Sequence, residues 1–401
     1  MLHRSASIDA LRGLAIFFVL MNHVNMRLFL AKLPYFEGIP AQVRDALVWN
    51  GQNGVQIFFV ISGFLITSMT LSRWGALSAI RIRDFYLLRI ARIAPLLLAL
   101  LCTLSILHWV GVPGFVVDES MGGLGRALFA ALTFHINLLE AQRGYLPPAW
   151  DILWSLSVEE TFYLCFPLIC RWFGRGKWLI VILGVVIALG PIARTVLAHG
   201  NDTWSEYSYL GGMDAIALGC ITALILPRLR LNSPALLSLA AIGTAAMILI
   251  LGFSADVRAL ERSGLDMSVL AFGTCLVIIA AARSRRGASS ALRPLRWLGR
   301  RSYEVYLTHM FVVMGLWHLY VARKIPAAGV AVLFLAVILL SGFLGGIVAR
   351  YFSEPMNRYL RTRWGPFRQR GTRQLRRRPS RASQGPGATD SSDAPRSLPL
   401  P

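Results

Sequence analysis

Arg12 and His23 are the residues whose types and spacing most directly suggest chemistry. Both lie in the apolar stretch from Ile8 to Phe29, and Gly13 to Asn22 between them are nearly all apolar. Eleven helical residues turn about 1100°, three full turns plus about 20°, so the pair shares one stripe about 16 Å long. Ionisable side chains inside a membrane-length stretch are costly and point to function. An imidazole accepts a proton near neutral pH, so His23 is the candidate general base. The plainer alternative is an interfacial histidine that anchors a helix end. Asp9, three residues before Arg12, is placed for an ion pair that lowers the cost of burying the guanidinium.

Four further constellations carry polar groups beside apolar runs. Phe58-Phe59-Val60-Ile61-Ser62-Gly63-Phe64 places Ser62-Gly63 inside a span, a sign of close helix packing; the Gly-x-Ser-x-Gly frame of a nucleophile elbow is absent. Arg89 and Arg92, three apart in the inner loop expected from Arg81 to Pro95, share a helical face. Their guanidinium forks suit phosphate oxygens, although any one of them could simply be a positive residue at the membrane surface. Trp154-Ser155-Leu156-Ser157-Val158-Glu159-Glu160 puts Ser155, Glu159 and Tyr163 on one face by four-residue steps. Glu159 is the candidate to orient His23 or to stabilise its charged form, the alternative being hydrated interface carboxylates. Tyr306 and His309, three apart, share a face at the start of another span, where His309 is either a donor-side group or a satisfied core histidine. Asp214 and Glu354 each need a partner if buried.

The elements that must position these groups are membrane helices. The chain has 401 residues, 55% hydrophobic and 15% charged, well below the charge of a soluble domain. Apolar runs of membrane length recur throughout and predict an all-α polytopic membrane helix bundle. Ten spans are expected, at about 8–29, 52–71, 93–111, 152–171, 178–197, 208–226, 234–252, 267–283, 302–321 and 328–350. The amphipathic stretch 124–138 is expected to lie along the outer surface or to dip in without crossing. With the N-terminus cytoplasmic, inner segments hold 30 of the 41 Lys and Arg and outer loops 9, the other two lying in spans. That asymmetry predicts both termini on the cytoplasmic side. It also assigns the net charge of +21 to membrane orientation and anionic lipid rather than nucleic acid. Arg12, Arg89 and Arg92 then face the cytoplasm, and His23 and Glu159 the outside.

Residues 1–360 form the expected membrane domain, and 361–401 a basic Pro/Ser/Gly-rich tail too poor in apolar residues to fold. The N-terminal run is long, carries Arg12 and His23 and lacks a small-residue cleavage site, so it is expected to be a retained span rather than a signal peptide. The five cysteines, Cys102, Cys165, Cys170, Cys220 and Cys275, form no CxxC pair and read as small core residues; no metal-ligand spacing occurs.

Taken in order, Arg12-x10-His23, Phe58 to Ile66, Arg89-x-x-Arg92-x-x-Pro95, Trp154 to Glu159 and Ser302-Tyr303-x-x-Tyr306-Leu307-x-His309 resemble the acyltransferase family 3 membrane proteins, the O-acetylases of bacterial surface glycans. The resemblance covers about residues 5 to 360. Glu160 stands where that family often carries Gln. The resemblance implies a bacterial inner-membrane enzyme that moves an acyl group, commonly acetyl, from cytoplasmic acyl-CoA to a glycan or lipid-linked saccharide. No permanently bound cofactor is implied. His23 would be catalytic with Glu159 assisting; Arg12, Arg89, Arg92, Trp154, Ser155, Tyr306 and His309 would bind substrate. Some members carry a fused periplasmic esterase-like domain, and this chain, ending in its basic tail, is expected to need a free acceptor or a separate partner.

The rival from another class is a non-enzymatic transporter or flippase of lipid-linked sugars, in which intramembrane Arg and His line a path. Such proteins carry repeats and broken helices in matching halves, which are not evident here. Transport that persists without an acyl donor would favour it. A scaffolding protein leaves the Arg12–His23 stripe unexplained.

Overall fold

A computed structural model describes residues 6–36, 38–253, 258–283 and 289–364. Among these residues all regular structure is helical. The principal helices are α1 (Ala6–Leu30), α2 (Gly51–Trp74), α3 (Ile82–Trp109), α4 (Leu153–Phe173), α5 (Trp178–Arg194) and α6 (Tyr209–Ile225). They continue as α7 (Ser233–Gly252), α8 (Asp266–Arg283), α9 (Arg293–Gly299), α10 (Ser302–Ala322), α11 (Val330–Val348) and α12 (Glu354–Trp364). Local signals set several of their ends. Asn232 and Ser208 cap α7 and α6 by accepting from the amides of Ala235 and Gly211. Gly75, at φ 79°, ends α2 in a conformation that suits glycine.

Nine described helical segments are long and apolar enough to cross a membrane. The expected fifth span is the exception. It folds as α5, with 17 residues, a rise of about 26 Å against the ~30 Å of a hydrocarbon core. Gly123–Leu132, at ten residues, rises only about 15 Å and is too short to cross alone. The chain is a polytopic membrane helix bundle. Leu237, Val332 and Phe343 are more than 60% exposed on the outer faces of α7 and α11, where lipid replaces water as the solvent.

Three boundaries differ from expectation. The segment Arg81 to Pro95 is not a loop: α3 starts at Ile82 and runs through Pro95, which holds Arg89 and Arg92 on a rigid helix. The last span does not stop near residue 350. It passes through a π-helical turn, Ala349–Ser353, into α12. Pro355 lacks the amide that would bond the carbonyl four residues back, and the wider turn accommodates its ring. Residues 361–364 of the expected tail are therefore helical; the remainder, from 365, lies outside the described residues.

The core runs along α1 and α2, where Ile16, Leu20, Leu28, Ile57 and Ile61 are almost fully buried. Glycines allow two close crossings. Gly13 and Gly299 bring α1 against α9, and Gly63 and Gly219 bring α2 against α6; at each, an added methyl would overlap a facing carbonyl. A buried polar cluster ties four helices together. Arg194 of α5 pairs with Asp214 of α6 at 2.9 Å and donates to Ser268 of α8 at 2.6 Å. Ser268 and Gln56 of α2 donate to the same carboxylate at 2.8 and 3.1 Å. This answers the partner question for Asp214, and its full pairing fits a structural role.

Candidate active site

Between α1, α2, α3, α4 and α10 lies a cavity of about 310 Å³. Its α2 wall runs from Val55 to Met69, about 21 Å of helix by its rise. Arg12, Arg89, Arg92 and Arg361 line it together with Ser62, Ser155, Glu159, Tyr163, Ser302, Tyr303 and Tyr306. All three expected donor-side arginines, Arg12, Arg89 and Arg92, therefore meet in one space, although they come from two helices.

Each of these three is held. Arg12 Nε donates to Ser302 Oγ at 3.0 Å, which ties the start of α1 to the start of α10. Arg89 lies over the Tyr163 ring at 3.7 Å. Its guanidinium pairs with Glu160 at 2.7 Å and Glu159 at 3.2 Å. Arg92 pairs with Glu304 at 2.9 Å and lies 4.8 Å from the Tyr303 ring centroid. The Glu304 side chain is 2% exposed and the Arg92 side chain 30%, so the carboxylate is sequestered while the cation reaches the cavity. Planar forks fixed in this way keep donors free for phosphate oxygens.

Glu159 lies with the arginines, not with the histidine. Its carboxylate accepts from Ser62 Oγ at 2.5 Å and Tyr163 OH at 2.9 Å besides Arg89. Among the described residues His23 is not one of its partners, so the expected Glu159–His23 contact is not formed. Four-residue spacing correctly put Glu159 and Tyr163 on one face but could not say which neighbouring helix that face meets.

The neighbour of His23 is His309. Their rings sit edge to face, 4.9 Å between centroids at 82°. His309 had been expected on the donor side if functional; it stands instead beside the candidate base. His23 Nδ1 contacts the Val19 carbonyl at 2.9 Å, and His309 Nδ1 the Tyr306 carbonyl at 2.6 Å. A carbonyl only accepts, so each neutral ring carries its proton on Nδ1 and its lone pair on Nε2. His309 is fully buried and its Nε2 has no hydrogen-bond partner among the described residues.

Tyr306 connects the cavity to this pair. It lines the cavity, and its ring centroid is 5.8 Å from that of His309. Its hydroxyl lies 2.6 Å from Ser155 Oγ and donates to the Ile152 carbonyl at 2.9 Å. Ser155 and Tyr306, two candidates from separate motifs, are thus brought together. Trp154 is not: it is 4% exposed, stacks on Tyr207 at 4.2 Å and is absent from the cavity lining.

Sequence reasoning gave no site role to Glu160, Glu304 or Arg361. Glu160 and Glu304 sit inside the quoted motifs, so their positions were visible but their partners were not. It also passed over Glu140, buried in the short helix Ile136–Arg143. Its carboxyl is pushed well above the usual carboxylate range by burial and by the charge of Asp151 beside it, against the hydrogen bond from the Leu146 amide.

A family model described as an acyltransferase domain matches residues 5–351. The chain is 28% identical over 331 residues to the peptidoglycan O-acetyltransferase OatA of Listeria monocytogenes, covering 77% of this chain and 49% of that protein. It is 24% identical over 365 residues to the O-acetyltransferase OatA of Staphylococcus aureus, covering 88% and 57%. It is 26% identical over 334 residues to the putative peptidoglycan O-acetyltransferase YrhL of Bacillus subtilis, covering 77% and 48%. The chain therefore spans about half the length of the curated relatives it matches. No solved structure gives a significant match. On the match across most of its length, the chain belongs to the acyltransferase family 3 membrane proteins.

Proposed function

We propose that the protein is an O-acetyltransferase of the bacterial cytoplasmic membrane, moving an acetyl group from cytosolic acyl-CoA to a hydroxyl of a cell-surface glycan. The names of the relatives make peptidoglycan the first acceptor to test. One observation carries this reading: an arginine-lined cavity is bordered by Tyr306, whose ring packs near His309, and His309 packs on His23. The concentration of Lys and Arg in alternate loops supports a cytoplasmic position for the arginine end.

In this reading Arg12, Arg89 and Arg92 hold the donor's phosphates, and Glu160, Glu159 and Glu304 orient two of those guanidiniums. The separation of Arg12 and His23 suits a donor whose phosphates and thioester lie at opposite ends of an extended arm. His23 Nε2 takes the proton of the acceptor hydroxyl as that oxygen attacks the thioester carbonyl. A C–O bond forms, the C–S bond breaks, and the departing thiolate recovers the proton from the imidazolium. His309 packs the ring in place, and Ser155 and Tyr306 border the path of the acyl group.

The test supplies membranes containing the protein with labelled acetyl-CoA and follows label into extracted glycan. Incorporation should depend on the protein and fall at least a hundredfold in His23→Ala, the usual scale of a lost general base. Full incorporation by His23→Ala would remove the catalytic assignment, and absence of any transfer by the wild type would remove the reaction.

A further inference from the structure

The helix α12 lies beyond the residues matched by the family model, yet it contributes Arg361 to the same cavity as Arg12, Arg89 and Arg92. Arg361 differs from Arg89 and Arg92 in how its charge is met. Those two have carboxylate partners within 3.2 Å. Arg361 has neither an ion pair nor a hydrogen bond among the described residues, and its Nε is buried without a partner. The charged groups that act on it are Arg92 and Arg73, both cations. The neighbouring Arg358 reaches Glu354 on its own helix at 3.6 Å and is exposed, so the one described carboxylate of α12 is directed elsewhere.

A half-buried guanidinium within the field of other guanidiniums, with no carboxylate partner among the described residues, is unfavourable in an otherwise empty protein. It becomes favourable when a multiply charged anion bridges the cations, since each fork can take oxygens in bidentate fashion. At about 310 Å³ the cavity is at the small end of ligand sites, so it takes part of a nucleotide thioester. The cationic part is the wall to which Arg92 and Arg361 both contribute.

We propose that Arg361 is a binding residue for a phosphate-bearing anion and that α12 forms one wall of the donor site. This rests on the acyl-CoA reading above for the identity of the anion. The same chemistry could be supplied by an anionic lipid headgroup, and the experiment separates the two sources.

The full chain is placed in nanodiscs of phosphatidylcholine alone, and separately in nanodiscs containing phosphatidylglycerol. Binding of coenzyme A and of inorganic pyrophosphate is measured for wild type, Arg361→Gln, Arg361→Lys and Arg358→Gln. The expected result is that Arg361→Gln weakens coenzyme A binding about tenfold in phosphatidylcholine, that Arg361→Lys loses less, and that Arg358→Gln stays within about twofold of wild type. Anion-free melting temperatures of the Arg361 variants should be no lower than wild type, which separates lost binding from lost fold. If wild type and Arg361→Gln bind coenzyme A equally, Arg361 is not a binding residue, while the donor reading stands. If wild type ignores coenzyme A but pyrophosphate stabilises it and not Arg361→Gln, the phosphate site stands and the donor reading falls. If the variant differs from wild type only in phosphatidylglycerol, by losing thermal stabilisation there, the site holds a lipid headgroup and α12 is not a wall of the donor site.

Discussion

Gly13→Ala should damage the arginine end of the site without touching a substrate-binding side chain. A methyl carbon at position 13 would sit 2.8 Å from Leu295 Cα and closer still to the Leu295 carbonyl. Carbon atoms prefer about 3.5–4.0 Å, so α1 and α9 must part by about 1 Å or more. The facing atoms are backbone, so no side-chain rotation relieves the overlap. From the opposite side, Gly299 meets the Asp9 and Gly13 backbone in the same way. Three residues beyond Gly299, Ser302 accepts from Arg12 Nε at 3.0 Å. Opening the contact by about 1 Å takes that bond to roughly 4 Å, beyond hydrogen-bond range. Overpacking costs about 1–3 kcal/mol, and a lost hydrogen bond to a charged group a further ~1.5–3 kcal/mol. The purified variant should melt several degrees below wild type and need at least tenfold more acyl donor for half-maximal transfer. Gly184→Ala, where an added methyl meets nothing within 4 Å, is the control and should behave as wild type. A Gly13→Ala protein with unchanged melting and unchanged donor dependence would refute the reasoning that this contact sets Arg12.

Two further outcomes follow from the charge pairs. Glu304→Leu leaves the Arg92 cation without its carboxylate; the intrinsic cost of ~3–5 kcal/mol for a buried pair falls to roughly 1–3 kcal/mol, because Arg92 is 30% exposed and still has the Tyr303 ring. Arg92→Leu in the same chain should recover part of that loss, read as melting temperature, and a double variant less stable than either single one would contradict the pairing. For Glu140 the folded carboxyl titrates above its unfolded value, so its protonated form contributes stability at low pH that is lost as pH rises through the folded value. Glu140→Gln keeps the acceptor for the Leu146 amide and removes that loss; its melting temperature should gain on wild type between acidic and alkaline buffers, and parallel curves would count against the burial argument.

How much of this was legible in the sequence depends on how local each feature is. Arg12 and His23 share α1 as their spacing required, because helical phase is set within the helix itself. The alternation of charged loops and apolar runs likewise placed most of the spans. Which carboxylate meets which arginine was not legible. Arg89 and Glu160 are 71 positions apart, and Arg92 and Glu304 are 212 apart, so only the packing of helices decides between Glu159 and Glu160. The same limit explains the misplaced Glu159–His23 contact and the unforeseen His23–His309 pair. Arg361 was passed over for a different reason: the basic composition of the C-terminal segment suggested a tail, and composition averages over the four helical residues at its start.

The π-helical turn at Ala349–Ser353 sets the angle at which α12 presents its side chains. A wider turn takes up one residue without advancing the helix axis to match, so everything after it is rotated by about 100° relative to an uninterrupted α-helix. Removing Met356 or Asn357, just after that turn, would leave α12 equally helical and equally basic, yet offer Thr362 in the position that Arg361 occupies. The cavity's fourth guanidinium is therefore encoded by length as much as by residue type. Close descendants of this chain could gain or lose it by a single-codon insertion or deletion, with every motif from Arg12 to His309 unchanged.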